Sequence, residues 1–235
     1  MVTQPSAGAA SEAEPPRGPR QGGEAARARL LHAGLRLFAQ QGYARTSTRE
    51  LAEAAGANVA SISYYFGDKA GLYRAVFLEP MGSTQEDIAR YDGPELSLRQ
   101  ALEGLYAGFL EPMRQGDTAR LCMKLHLREM LEPTGLWQVQ VDQGIRPMHE
   151  ALLALLCRHL GLADPDDDLK RLALSIAGLG VHLHVGHDCM AQLAPGLNDG
   201  PRALDLWSER LTMYALAMIE AERARRAAAA VGAGT

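Results

Sequence analysis

The chain has 235 residues, 47% hydrophobic and 22% charged, which is typical of a globular protein and excludes a disordered chain. No run approaches the ~18 uninterrupted apolar residues of a membrane span, and the N-terminus lacks the apolar core of a secretion signal, so we expect a cytoplasmic protein without membrane contact. The three cysteines show no paired spacing, so we expect neither a disulfide framework nor a thiolate zinc site. The net charge of −4 conceals a basic segment, because residues 24–80 carry seven Lys or Arg against five Asp or Glu, a net charge of plus 2.

The N-terminal segment, residues 1–23, is dominated by Pro, Gly, Ala, Ser and Gln, a composition that predicts a flexible tail. Four arginines in and just after this segment either extend phosphate contacts to DNA or have no role: Arg17, Arg20, Arg27 and Arg29. The first helix is predicted from about Glu24 to Gln41, with Leu31, Leu35 and Phe38 on its inner face.

The segment from Ser47 to Phe66 is predicted to form two short helices joined by a tight turn. Ser47 and Glu50 have the spacing of a capping box, so a helix should begin at Thr48. Gly56 suits the left-handed residue that ends this helix, and Asn58 is a favourable N-cap for the next one.

The second of these helices has the pattern of a DNA recognition helix. One face is expected to be buried: Val59, Ile62 and Phe66. The opposite face carries small or hydroxyl-bearing side chains: Ala60, Ser61 and Tyr64. Such side chains allow close approach to base edges and phosphates in a major groove. Asp68 is expected to cap the next helix, which Lys69 opens. Paired amphipathic helices also occur in many all-α proteins, so spacing alone leaves a purely structural interpretation open.

Four stretches resemble the N-terminal domain of TetR-family transcriptional regulators, and the match runs from about Glu24 to Glu79. They are FAQQGY at 38–43, TRELA at 48–52, AG at 55–56 and ISYYFGDK at 62–69. The resemblance implies a three-helix DNA-binding domain with these DNA contacts: Thr48, Arg49, Val59, Ala60, Ser61, Ser63, Tyr64, Tyr65 and Lys69. Two positions differ from many members, which carry tyrosine at the place of Ser63 and serine at the place of Asn58. Helix geometry puts Ser63 and Tyr65 only at the flanks of the exposed face.

The domain boundary is expected near residue 84, after a helix that Pro80 and Gly82 bring to an end. This helix should join a DNA-binding domain, residues 24–84, to a helical second domain, residues 85–226, so that a rotation of the second domain swings the recognition helix. The second domain shows no period-two strand. Its helices are predicted at 96–115, which Pro112 could end early, at 118–131, and at 136–160 with a kink or interruption at Pro147. Two more are predicted, one from a loop and helix start at Asp164–Asp168 to Leu183 and one at 201–226. Residues 227–235 are expected to be a flexible C-terminus, and the fold class is all-α.

The last two helices are expected to pair with a second copy, as they do in the family. Two apolar faces on the last helix indicate contact with both its own core and a partner, although both faces could instead be buried within one chain. The predicted interface comprises Leu183, His184, His187, Leu206, Trp207, Met213 and Ala217. A two-fold pair of recognition helices reads half-sites about 34 Å apart, or a near multiple, on double-stranded operator DNA.

The second domain should hold a small-molecule effector. His126 and Glu129 share a helix face, and Arg128 is adjacent. A polar pair in an apolar wall could orient a ligand. The same charged side chains could instead form a structural ion pair without a ligand. Further pocket candidates, which could equally be plain core, are Met123, Met130, Trp137 and Met148. The stretch LHLREMLEPT at 125–134 resembles the C-terminal domain of the CecR-like subgroup of TetR regulators.

The histidines at 182, 184 and 187 raise an alternative from another class, a metal-dependent hydrolase. Their spacing is similar to the HxHxDH run of metallo-β-lactamase-like enzymes, but Gly186 occupies the place of that motif's aspartate and the surroundings are helical. The expected protein is therefore a dimeric, ligand-responsive repressor that is not an enzyme and uses no cofactor or metal. A constitutive DNA-binding protein without an effector is the third possibility.

Overall fold

The computed structural model describes residues 19–79, 83–114 and 116–233, and none of these lies in a β-strand, which confirms the all-α fold class. The N-terminal helices are α1 (Pro19–Gln41), α2 (Thr48–Ala54), α3 (Ala60–Phe66) and α4 (Lys69–Leu78). The second domain contains α5 (Thr84–Ala89), α6 (Leu98–Arg114), α7 (Asp117–Leu131), α8 (Leu136–Gln140), α9 (Arg146–Leu160), α10 (Asp167–Val185), α11 (His187–Leu193) and α12 (Ala203–Ala233).

Local caps set the boundaries of the short N-terminal helices. Glu50 N donates to Ser47 Oγ (3.2 Å) and Ser47 N donates to Glu50 Oε2 (2.8 Å), which completes the capping box at the start of α2. Gly56 follows α2 with φ +58°, a conformation that glycine adopts without strain. Ala60 N donates to Asn58 Oδ1 (2.9 Å) at the start of α3, and Gly71 N donates to Asp68 Oδ1 (2.7 Å) at the start of α4. The capping box, the turn at Gly56 and the cap at Asp68 are confirmed, whereas the N-cap residue of α3 is Val59 rather than Asn58.

The first and last helices are longer than predicted. Helix α1 begins at Pro19 rather than Glu24, and α12 runs to Ala233 rather than Arg226. Proline suits the first turn of a helix, because its missing amide would have no helical partner there. The four alanines at 227–230 have the highest helix propensity of any residue, so they prolong α12. Residues 1–18 and 234–235, the rest of the predicted tail and C-terminus, lie outside the described residues.

Two prolines have different effects on their helices. The helix predicted over residues 136–160 is interrupted by a π-helical segment, Val141–Ile145, directly before α9 and its Pro147. Proline has no amide hydrogen, so the preceding turn loses a hydrogen-bond donor, and the hydroxyl of Thr84 donates to Gln143 O (3.4 Å) in that turn. Pro112, where the sequence allowed this helix to end early, lies inside α6.

The buried side chains form two cores. One is built on α1 to α4, with Phe38, Ile62 and Phe77 fully or almost fully buried. It also contains Leu125 from α7 and Leu136 from α8, although both were assigned to the second domain. The other core joins α6, α9, α10 and α12. The second domain therefore contributes α7 and α8 to the packing of the first.

Helix α6 approaches α5 most closely at a glycine. A Cβ on Gly104 would lie 2.0 Å from the carbonyl oxygen of Arg90, whereas the nearest atom to a Cβ on Gly108, one turn later, would be 3.9 Å away. We expect Gly104→Ala to lower the free energy of unfolding by about 1–3 kcal/mol through steric overlap. Gly108→Ala should leave it unchanged or raise it by up to about 1 kcal/mol, because alanine favours helix. Urea unfolding of both variants checks this, and equal effects would contradict the close approach.

Candidate nucleic-acid interface

Helix α3 is anchored on one side and open on the other. Ile62 is 1% exposed in the N-terminal core, whereas the side chain of Tyr64 is 82% exposed. Ala60 and Ser63 are also exposed, and Ser61 and Tyr65 are half-buried. The rings of Tyr64 and Tyr65 meet edge to face with centroids 4.8 Å apart. Helix α3 therefore presents a free face with an aromatic hydroxyl at its centre.

The predicted buried face of this helix is partly wrong. Val59 is 45% exposed rather than buried, and Phe66 is half-buried. Val59 precedes the first helical residue, Ala60, so helical periodicity did not apply to it. The guanidinium of Arg27 lies 5.2 Å from the ring centroid of Phe66 and covers part of that ring. Val59 is thus open for contact with DNA, as the resemblance implied.

Cationic and hydroxyl groups flank the free face. Arg49 is exposed and Thr48 half-buried on the first turn of α2. Lys69 opens α4, and its ammonium lies 4.2 Å from the centroid of the Tyr43 ring, a cation–π contact. Hydrogen bonds from Ser47 lower the pKa of Glu50, and the positive charge of Lys69 adds to this effect. These groups suit phosphate oxygens on either side of a groove.

Two arginines of α1 contact the protein itself. Arg29 Nε donates to Ala55 O (3.0 Å) at the end of α2, and Arg27 pairs with Glu79. Both were candidates for extra phosphate contacts. In this arrangement they fix α1 against the C-terminal ends of α2 and α4.

The polar group expected to orient a ligand lies between the two domains. The carboxylate of Glu129 is fully buried and accepts hydrogen bonds from the Tyr73 hydroxyl (2.7 Å), Thr134 N (2.7 Å) and Leu136 N (3.0 Å). Burial first, and then the hydrogen bond to Glu129, raise the pKa of Tyr73. Arg128 does not pair with Glu129. Its guanidinium binds Glu132 (3.0 Å) and reaches Gln40 O (3.3 Å) at the end of α1.

His126 completes this interdomain contact. Its ring stacks on Phe77 of α4 with centroids 4.2 Å apart, and Nδ1 donates to Cys122 O (2.7 Å). Its Nε2 is buried without a hydrogen-bond partner. Burial lowers the pKa of His126, against smaller opposing effects of the Cys122 carbonyl and Glu129. His126 is therefore a neutral imidazole packed against the DNA-binding domain.

The remaining ligand candidates do not line the surface depression beside α9. Met123, Trp137 and Met148 are half-buried, and Met130 is 49% exposed. A surface depression of about 470 Å³ lies elsewhere, between Glu150 and Pro165 along α9 and the loop that follows. The ligand assignment of these residues stays a prediction.

Among the described residues, the histidines at 182, 184 and 187 are not arranged as a metal site. His184 Nε2 donates to Phe109 O (2.7 Å), and burial lowers the pKa of His184. His182 is exposed on α10, and His187 opens α11. Within the described residues, no three His, Cys, Asp or Glu side chains are placed to hold a metal ion. The hydrolase alternative has no support.

The predicted dimer residues fall into three groups, which are exposed, buried and half-buried. Leu206 (46%), Met213 (42%) and Ala217 are exposed along α12. Leu183 is 1% exposed in the chain's own core, so it is not available to a partner. His184, His187 and Trp207 are half-buried, and Trp207 Nε1 donates to Asn198 Oδ1 (2.8 Å).

An exposed apolar row on α10 was missed by the sequence reading. It comprises Leu174 (62%), Val181 (43%) and Val185 (57%). The signal was present as a second apolar stripe, offset from the buried one at Leu172, Ile176 and Leu183.

None of the described helices has the length and hydropathy of a membrane span.

Two families match the chain in sequence. Residues 98–222 match the C-terminal domain of the HTH-type transcriptional dual regulator CecR, and residues 30–76 match the tetR family of bacterial regulatory proteins. CecR of Shigella flexneri is 31% identical over 150 residues, 59% of this chain and 66% of that protein, so the match spans just under two thirds of this relative. The HTH-type transcriptional regulator BetI of Burkholderia mallei (strain NCTC 10229) is 28% identical over 161 residues, 66% of this chain and 80% of BetI.

Solved structures confirm the fold. A tetR-family regulatory protein from Rhodococcus RHA1 superimposes with a TM-score of 0.62 at 19% identity, covering 83% of this chain and 96% of that chain. The hemolysin II transcriptional regulator HlyIIR gives a TM-score of 0.55 at 20% identity, covering 81% and 98%. The arrangement of an N-terminal helix-turn-helix domain and a C-terminal helical domain is thus confirmed.

The buried imidazole of His126 predicts a pH dependence of stability. Because its pKa lies below the ordinary value of 6.5 in the folded protein, the unfolded chain binds a proton first as the pH falls, and stability decreases below about pH 6.5. Between pH 7.5 and 5.5, His126→Leu should remove up to about 1.4 kcal/mol of that decrease. Chemical unfolding at both pH values measures it. The exposed His182→Leu variant is the control, and an identical pH dependence of both variants would contradict the assignment.

Proposed function

The chain belongs to the TetR family of transcriptional regulators, with a CecR-like C-terminal domain, and from this membership we propose that it is a homodimeric repressor that a small-molecule effector releases from operator DNA. Its relatives are transcriptional regulators, so the chain regulates transcription and is not an enzyme. We place it in the cytoplasm, on the nucleoid while it is bound to DNA.

The observation that carries the DNA-binding proposal is the free face of α3. A helix held by a buried Ile62 and open at Tyr64 suits insertion into a major groove. The small side chain of Ala60 permits close approach, and the hydroxyls of Ser63 and Tyr64 supply base or phosphate contacts. Arg49 and Lys69 lie where the backbone of the duplex would pass.

Two copies are required for adequate affinity. Residues 24–80 have a net charge of only plus 2, so one domain neutralises few phosphates. The exposed apolar rows of α10 and α12 support pairing of these helices with their counterparts in a four-helix interface. The pair would present both α3 helices to one side of a palindromic duplex.

Release by an effector requires a second dimer geometry with the wrong spacing between the two α3 helices. Because α7 packs into the N-terminal core, a ligand that shifts α7 would displace α4 and with it the DNA-binding helices. A ~100-fold preference of the effector for the released geometry is worth about 2.7 kcal/mol, which suffices for control. We expect a small and largely apolar effector, because most of the candidate ligand residues, the methionines at 123, 130 and 148 and Trp137, are apolar.

Arg49 tests the phosphate contact. Against a duplex selected by the protein from a random pool, Arg49→Ala should weaken binding and reduce the slope of log affinity against log salt by about one per recognition motif. Arg99→Ala is the matched control, because Arg99 is also exposed but lies on α6. Fluorescence anisotropy over a salt series measures both. An unchanged slope for Arg49→Ala would remove this contact, and failure of the parent protein to select any duplex would overturn DNA binding.

Met213 tests the dimer. Met213→Asp places a charge in the exposed apolar row of α12 and should convert the dimer to monomers, because a carboxylate is costly to bury. Leu131→Asp is the control, since Leu131 is 78% exposed on α7, away from that row. Sedimentation velocity distinguishes the species. A parent protein that is monomeric, or a Met213→Asp variant that remains dimeric, would contradict the proposed interface.

A further inference from the structure

One buried carboxylate connects three parts of the chain. Glu129 on α7 has no exposed surface, and its carboxylate accepts hydrogen bonds from four donor atoms. The Tyr73 hydroxyl reaches it from α4, while Thr134 N, Thr134 Oγ1 (3.0 Å) and Leu136 N reach it from the corner between α7 and α8. A buried carboxylate depends on such donors. The corner and α4 therefore cannot separate without leaving Glu129 short of partners.

The contacts continue from Tyr73 to the DNA-facing side. The ring of Tyr73 lies 5.0 Å from that of Tyr43, centroid to centroid, and meets Phe38 edge-on at 4.9 Å. The ring of Tyr43 also lies 6.1 Å from that of Phe38, centroid to centroid, and 4.2 Å from the ammonium of Lys69. Glu129, Tyr73, Tyr43 and Lys69 thus form one unbroken series of contacts, defined here as the Glu129–Lys69 relay.

The corner at the far end of the relay is open to solvent. Its residues, Glu132 to Gly135, are exposed between two helices, and Gly135 has φ +105°. Thr134 contributes two donors to Glu129 from this corner. A displacement of this corner would remove the Thr134 donors from the Glu129 carboxylate. The loss would then affect α4 through the Tyr73 hydroxyl, which donates to the same carboxylate.

We infer that Glu129 is a positioning residue, which sets operator affinity through Tyr73 and Tyr43 by holding Lys69 where a phosphate passes. The inference rests on the proposed function, because it assigns the route by which the second domain controls DNA binding. The arrangement with all donors in place is the DNA-binding state. Displacing the corner between α7 and α8 lowers operator affinity.

Tyr73→Phe tests the relay, because it removes one hydroxyl and keeps the ring that packs on Phe38 and Tyr43. Tyr106→Phe is the matched control: Tyr106 is also fully buried, and its hydroxyl donates to Ile176 O (3.0 Å) inside the second domain. Against the selected duplex, we expect Tyr73→Phe and Glu129→Gln to lower affinity at least ~5-fold, while Tyr106→Phe stays within ~2-fold. Equal affinities for the two tyrosine variants would overturn the inference.

A double-mutant cycle separates positioning from general destabilisation. If Tyr73 acts through Lys69, the variant Tyr73→Phe/Lys69→Ala should bind no more weakly than Lys69→Ala alone. Additive losses would overturn the relay. An unstable Glu129→Gln variant leaves the cycle intact, since it uses only Tyr73 and Lys69.

The relay is also measurable without DNA, which separates its failure from failure of the proposed function. Spin labels at exposed positions of the two domains, Glu53→Cys on α2 and Arg99→Cys on α6 in a Cys189→Ser background, report the distance between the domains. An excess of unlabelled protein ensures that each dimer holds at most one labelled chain, so the distance is measured within that chain. The distribution of distances between the two labels should be narrow for Tyr106→Phe. It should be broader for Tyr73→Phe, because that variant loses the hydrogen bond between the domains. Equal widths would overturn the relay even if the protein binds an operator, and a broader Tyr73→Phe distribution would support it even if no duplex is bound.

Discussion

The hydrogen bond between Tyr73 and Glu129 joins the DNA-binding domain to the second domain, which supplies part of the core of the first. Leu125 and Leu136 of the second domain are buried in the N-terminal core, and His126 stacks on Phe77 beside them. The apolar contacts give the interface its stability, because burial is favourable but non-directional. The buried carboxylate gives it a defined geometry, since its donors must meet it from fixed directions. The orientation of α3 is consequently a property of both domains.

Local features were predictable from sequence and long-range ones were not. The capping box of Ser47 and Glu50, the turn at Gly56 and the cap at Asp68 each depend on residues within a few positions of one another. Tyr73 and Glu129 are 56 residues apart, and no periodicity identifies that partner. The sequence marked His126, Arg128 and Glu129 as unusual because they interrupt an apolar helix face, but it could not distinguish a ligand site from an interdomain contact.

The second domain shows the same division. Apolar spacing located α6, α7, α10 and α12, because a period of 3.6 is intrinsic to a helix. On α10 two apolar stripes run side by side, and sequence favoured the one that contains Leu183, which the chain buries in its own core. The other stripe, with Leu174 and Val185, remains exposed. The neighbouring helices decide which stripe of α10 faces inward. The exposure of Val59 was likewise not predictable from helical periodicity, because Val59 lies just before the first residue of α3.

The central claim is that DNA binding at α3 and the packing of α7 are one coupled event. Hydrogen–deuterium exchange with and without the selected duplex tests it most directly, because coupling between sites is reciprocal. The account predicts slower exchange both at residues 47–69 and at the amides of Thr134 and Leu136, which donate to Glu129. Protection confined to residues 47–69 would contradict it, because the second domain would then not sense the DNA that it is proposed to control.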